Sequence, residues 1–351
     1  MRGRAALPAR PLEEGSLELE LCLCWGKFSR MSEWGTSDGA ADDDEPLFDP
    51  GLFVNDAYES VCYSVAGIEQ PVLCSTASST DYDLTGQVVW PVSVLLAHFV
   101  ARVLRPRGDL EGARVVELGA GCGLPGLIAA RAGARVTALT DGSEIVCELL
   151  ARQLDAERER RAAVGTRGDG ELVASLLEWG DAAAAKALIS RLGAAPRCIL
   201  GADVVCWEVC ISPLLRTIRT LLAAASTEEA SASTPEATPP RAYLGFVCRA
   251  HRTESEFLEK ASAFGVSVER VRLSTFLPPH WLTPDGAALR QHADLPAEAD
   301  DDGAEGALPE ELRSQLRLEV LCLSLTPDGL ARELEGTDGA YVRPEVVALP
   351  C

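Results

Sequence analysis

The chain has 351 residues, 47% apolar and 24% charged, with 53 acidic against 32 basic side chains and a formal charge of −21 at pH 7. That length suits one large α/β domain with insertions or two small domains, and the apolar share is enough to bury a core. A field so negative repels phosphate backbones, which disfavours nucleic acid as a partner, and it attracts a cationic one.

In chain order, residues 1–45 read as a flexible acidic extension ending in the small, acidic run Ser37–Glu45, and 46–112 as an accessory segment. The most apolar run, Val88 to Val100, is too short to span a bilayer and is interrupted by Pro91, Ser93 and His98. From 113 onward strand and helix patterns alternate. Strands are expected at Arg114–Leu118, Arg135–Thr140, Leu172–Leu177, Cys198–Gly201, Ala242–Cys248, Val266–Leu273 and Leu316–Ser324. Helices are expected at Leu124–Ala132, from Ser143 to about Gln153, at Ile211–Ala224 and at Glu254–Phe264. Such alternation predicts a doubly wound α/β sheet, parallel for the most part, with helices on both faces. Only loop separates the sixth and seventh strands, so an antiparallel edge is expected there. Residues 226–240, rich in Ser, Thr, Pro and Glu, read as a disordered insertion. Residues 292–311 read as a second, with eight carboxylates and no Lys or Arg; a solubilising loop is the plain reading of such a run.

The 12 cysteines are scattered without a CxxC pair, and none of the four histidines stands at metal-ligand spacing from a Cys pair. Reduced intracellular thiols and no metal are therefore expected. Met1–Arg10 is followed by acidic residues rather than an uninterrupted apolar core, so no secretory signal is expected. A soluble, monomeric chain of the cytoplasm, with the nucleus as a second location, is the expectation.

The informative segment is Val115-Val-Glu117-Leu-Gly119-Ala120-Gly121-Cys-Gly123-Leu-Pro125-Gly126, which leaves a strand and opens a helix. Glycines there allow a tight turn and a close backbone approach to a ligand. Asp141, about twenty residues on at the end of the next strand, can accept the hydroxyls of a ribose. Gly121 to Gly126 also spells GxGxxG, the dinucleotide fingerprint. Against a dinucleotide, Glu117 is an acid near the expected pyrophosphate, and Pro125 removes an N–H from the helix start that would bind it. No hydride-acceptor half follows either. S-adenosylmethionine, which carries a sulfonium and no phosphate, fits better. Plainer alternatives stay open: a bare strand–helix turn, Asp141 as a helix cap, and Glu117 as a buried carboxylate paired with an arginine.

From about Gly86 to Ser324 the chain resembles the family-16, methyltransferase-like group of seven-strand (class I, Rossmann-like) protein methyltransferases, best known for lysine. The marks come in order: Leu84-Thr-Gly-Gln-Val-Val-Trp90-Pro91, Glu117-Leu-Gly119-Ala120-Gly121, Asp141, Glu178-Trp179-Gly180, Leu200-Gly-Ala202-Asp203-Val-Val205, Cys248-Arg249 and Phe257. The resemblance implies S-adenosylmethionine as cofactor, held by Trp90, Glu117, Gly119, Ala120, Gly121, Asp141, Trp179 and Ala202. It implies Asp203 as the residue that orients the incoming amine of a protein substrate. The family has a tyrosine three residues after that aspartate; here the position is Cys206, followed by Trp207. Trp207 is a candidate to supply the missing ring, or simply a cap on the sheet. Leu124-Pro125-Gly126 resembles arginine-directed relatives. Lysine is the first acceptor expected, with arginine, a small molecule, or a non-catalytic cofactor-binding module as alternatives. No D/N-P-P-Y/F motif of base-directed enzymes is present.

Overall fold

The computed structural model describes residues 58–75, 82–165, 170–231, 239–248, 251–277 and 317–331. The expected extension at 1–45, the acidic run at 292–311 and Arg249 lie outside them.

Seven strands form one sheet. They are β3 (Arg114–Leu118), β4 (Val136–Asp141), β5 (Glu171–Leu176), β6 (Cys198–Ala202), β7 (Arg241–Cys248), β8 (Val266–Val271) and β9 (Arg317–Leu325), in the order β5-β4-β3-β6-β7-β9-β8. The first five run parallel, and β9 lies antiparallel to both β7 and β8. The expected mixed edge is therefore present. The reversed strand is the last in sequence, slotted between two earlier ones, so β8 becomes the edge.

Residues along each strand alternate between two cores, as the pleat requires. Val115, Leu139, Leu200 and Tyr243 face one side. There they meet α1 (Pro91–Phe99), α2 (Leu124–Arg131) and α3 (Glu144–Val164). Val116, Ala138, Ile199 and Leu244 face the other, against α4 (Ala182–Leu192), α5 (Glu208–Ser231) and α6 (His251–Ala263). Phe99 is fully buried, its ring 5.0 Å from Tyr243 and 5.4 Å from Phe276, which fastens α1 to β7. Within α5, Glu208–Glu228 is long and apolar enough to cross a membrane by length and composition, yet half of its most apolar window is buried in this fold.

Several elements go beyond the expected set. A hairpin, β1 (Tyr58–Val65) with β2 (Ile68–Ser75), packs on α2 and α3. α1 continues through a wide π-helical turn at Val100–Leu104. α4 begins at Asp181, whose carboxylate accepts from Ala183 N and Ala184 N at 2.8 Å each. Residues 226–231, placed by the sequence in a disordered insertion, continue α5. The Ser226 and Thr227 hydroxyls donate to Leu222 O and Ala223 O, satisfying themselves without breaking the helix. The Glu228 carboxylate also accepts from Ala195 N at 3.0 Å, tying this turn to the sheet side.

Candidate functional site

The chain moves outward from β3 to β4 and β5, then returns to the other side of β3 with β6 and β7. This reversal opens a crevice at the carboxyl ends of the strands, the usual ligand position in such sheets. A cavity of about 430 Å3 lies there, within the roughly 300–1,000 Å3 of small-molecule sites.

Nine of the ten candidate residues line it: Trp90, Gly119, Ala120, Gly121, Asp141, Trp179, Ala202, Asp203 and Trp207. The glycine loop leaves β3 with left-handed backbone at Gly119 (φ +60°) and Gly121 (φ +52°). A Cβ on Gly119 would lie 2.9 Å from Val204 Cγ1 and 3.0 Å from Trp179 Cζ2; one on Gly121 would lie 2.9 Å from Gly86 O. Close packing as well as turn geometry therefore demands glycine at both.

Asp141 ends β4 and accepts from Gly121 N at 3.2 Å and from Ser143 N at 3.0 Å. It thus joins the glycine loop to the start of α3, whose N-cap is Ser143 rather than Asp141, while lining the cavity. Burial pushes its carboxyl up from the ordinary value, against the pull of the Ser143, Gly121 and Gly142 N–H groups. These donors leave the carboxylate spare lone pairs for a hydroxyl.

Glu117 is the exception. It is 1% exposed and does not line the cavity. Its Oε2 accepts from Gly126 N at 2.9 Å, inside the first turn of α2. Its partner is thus a backbone N–H rather than an arginine, and the expected direct contact with a cofactor is corrected to a brace beneath the loop. Burial, only partly offset by that hydrogen bond, pushes its carboxyl up to about 8.

The same contact decides what the cavity suits. Of the N–H donors a helix N-terminus would offer an anion, Pro125 has none and Gly126 has given its own to Glu117. A pyrophosphate would find a buried acid there. A nucleoside-type ligand without phosphate requires none of those donors. The indole Nε1 of Trp179 is buried without a hydrogen-bond partner among the described residues, a donor beside the glycine loop of the kind a bound ligand satisfies.

Trp90 caps α1, and its Nε1 donates to Thr85 O at 2.8 Å, fixing the turn Tyr82–Gln87 along the cavity wall. Tyr58 of the hairpin holds that turn from behind, donating to Gln87 Oε1 at 2.7 Å. On the opposite wall Asp203 follows β6 with φ +58°, its N–H donating to Gly245 O at 3.0 Å. An aspartate in left-handed backbone is costly, and such strain collects at functional positions. Trp207 is 46% exposed at the rim, beside the exposed Cys206 and just before the exposed Val209. Ser93, Val146, Leu177 and Cys210 are among the further lining residues that had not been singled out from sequence. The available signal was positional, since each follows a strand end or opens a helix at the carboxyl edge.

A family model described as lysine methyltransferase matches residues 75–262. The protein N-lysine methyltransferase METTL21A of Danio rerio is 36% identical over 140 residues, 38% of this chain and 54% of that protein. The histone-arginine methyltransferase METTL23 of Mus musculus is 34% identical over 112 residues, 32% of this chain and 43% of that protein. The chain thus spans about half the length of the curated relatives it matches. Among solved structures, SMU.776, provisionally a methyltransferase and complexed with SAH, aligns over 77% of this chain and 57% of its own. Its identity is 14% and its TM-score 0.43, and nothing about chemistry follows from a likeness at that level.

Proposed function

This chain belongs to the lysine methyltransferase family, and we propose from that premise that it methylates a basic side chain of a protein, lysine first, using S-adenosylmethionine. The observation that carries the reading is the convergence of nine expected residues on one cavity whose helix start is closed to phosphate. When bound, S-adenosylmethionine supplies a methyl group on a positively charged sulfur.

The protein's own contribution is positional. Asp141 is placed to accept ribose hydroxyls, Trp90 and Trp179 to flank the nucleoside, and the Gly119–Gly121 backbone to permit close approach. Asp203, at the rim in fixed backbone, orients the acceptor nitrogen. A lysine must give up its proton before it reacts; contact with the Trp207 ring face desolvates it and lowers its pKa, and the exposed rim gives water access to take the proton. Trp207 offers its ring face to the incoming cation, standing in for the tyrosine that the family carries where this chain has Cys206. Arginine is the second reading, favoured by the similarity to a relative named for histone arginine.

The purified chain incubated with tritiated S-adenosylmethionine and cell lysate, followed by acid hydrolysis of labelled protein, tests both. Label in methyllysine supports the proposal, and label in methylarginine replaces lysine by arginine. Label in metabolites alone, or none despite measurable cofactor binding, overturns a protein acceptor. Asp203→Asn should lower kcat by about 10- to 100-fold, the loss of a charged hydrogen bond in the transition state, with affinity for S-adenosylhomocysteine unchanged. Equal loss of both would move Asp203 to the cofactor.

A further inference from the structure

We infer that Cys248, His251 and Glu254 form a binding site for a zinc-class divalent cation, separate from the cavity. Cys248 ends β7, and His251 and Glu254 stand one turn apart on α6. Cys248 Sγ lies 3.3 Å from Glu254 Oε2, and His251 Nδ1 lies 3.5 Å from the same oxygen. All three donor atoms fall within 4.8 Å of one another. Around tetrahedral zinc, bond lengths of about 2.0–2.3 Å place neighbouring ligand atoms roughly 3.3–3.6 Å apart. Two of the three separations already meet that spacing, and the exposed His251 ring is free to close the third.

The surroundings suit a ligand set as well. Cys248 and Glu254 are buried, while the His251 side chain is 64% exposed, so the site opens to solvent on one side and leaves a fourth position for water. The other oxygen of Glu254 is held by Arg270, which is itself braced by Glu319 at 2.8 Å. A hydrogen-bonded outer oxygen of this kind fixes a carboxylate ligand in orientation. Thiolate, imidazole and carboxylate together select zinc or cobalt over magnesium or calcium. On binding, the Cys248 thiol gives up its proton as the sulfur–metal bond forms, so one proton is released for each thiol ligated.

None of the three residues lines the cavity, so the inference stands apart from the methyl-transfer reading. It bears on the cavity's rim even so. Arg252, next to His251, pairs at 2.9 Å with Glu208, the first residue of α5 after Trp207. A cation on these ligands would fix the start of α6 to the end of β7.

Chelator-treated full chain titrated with Co2+ should bind one equivalent. It should show thiolate-to-cobalt absorption in the near ultraviolet together with intense visible bands, release about one proton per metal, and lose both absorptions on addition of Zn2+. His251→Ala, a surface change, should fold normally by circular dichroism and weaken binding at least about 10-fold. Cys248→Ser should abolish the ultraviolet band, and Cys206→Ser, removing the thiol that is exposed among the described residues, should leave it intact. Absent stoichiometric binding, wild-type affinity in His251→Ala, or a band that disappears with Cys206 would each overturn the site.

Discussion

Asp141 carries more than one task in a single carboxylate. It faces the cavity while accepting from Gly121 N and Ser143 N, so loop, helix start and ligand share one anchor. Asp141→Ala should weaken S-adenosylhomocysteine binding by about 1.5–3 kcal/mol, the cost of stranding buried hydrogen-bonding groups. Unchanged affinity by calorimetry would remove its ribose role. Gly121→Ala should cost about 1–3 kcal/mol of stability, since it places a Cβ in left-handed backbone and 2.9 Å from Gly86 O. A thermal melt that does not move would show that the loop has room for the Cβ beside Gly86 O. These residues were legible in the sequence because strand, glycines and a distal carboxylate come at required spacings. Glu117 was legible as important and misread in contact, because a strand-end carboxylate can point into a crevice or beneath it. The short reach to Gly126 N settled which.

The elements that escaped the sequence reading did so for different reasons. α1 is buried all round, from Pro91 to Phe99 apart from Ser93, so it has no polar stripe and no helical period to detect. The hairpin β1–β2 lay ahead of the recognisable strand–helix alternation. α4 did leave a signal: Asp181 as a cap, then Ala185, Leu188 and Leu192 on one buried face. Asp181→Ala removes two hydrogen bonds at the start of α4 and should cost about 0.5–2 kcal/mol, read as a lower midpoint in denaturant at unchanged slope. Midpoints that coincide would mean that packing alone holds this helix. Cys248, His251 and Glu254 carry no paired-cysteine spacing, so the sequence by itself does not mark them as a group.

Over the molecule as a whole, the buried Glu117 makes stability depend on pH. In the fold its carboxyl is pushed up to about 8, against 4.5 ordinarily. The folded chain therefore holds this proton more tightly than the unfolded one, and the contribution is full below about 4.5 and lost as pH climbs to about 8. Asp141, also raised, acts with the same sign. Glu157, lowered by Arg160 and Arg161 against the opposing effect of its burial, acts in the acid range below 4.5. Glu117→Gln should thus gain stability relative to the wild type as pH rises from 5.5 to 8, measured as the difference in melting temperature. A constant difference across that range would show that Glu117 does not titrate there.

The fold class, the five parallel strands and, within the cavity, the Gly119–Gly121 loop and Asp141 could be read from local pattern, whereas Trp90, Trp179, Ala202, Asp203 and Trp207 came through the family resemblance. Period-two burial, glycines in turns and carboxylates at strand ends are demands that each short segment states for itself. Three features came from contacts between distant segments: the insertion of β9 between β7 and β8, the turning of Glu117 under its loop, and the left-handed backbone at Asp203. The meeting of Cys248, at the end of β7, with Glu254 on α6 joins them. Each depends on which alternative buries the most apolar surface while leaving the fewest buried polar groups unpaired, a comparison made only once the whole sheet has closed.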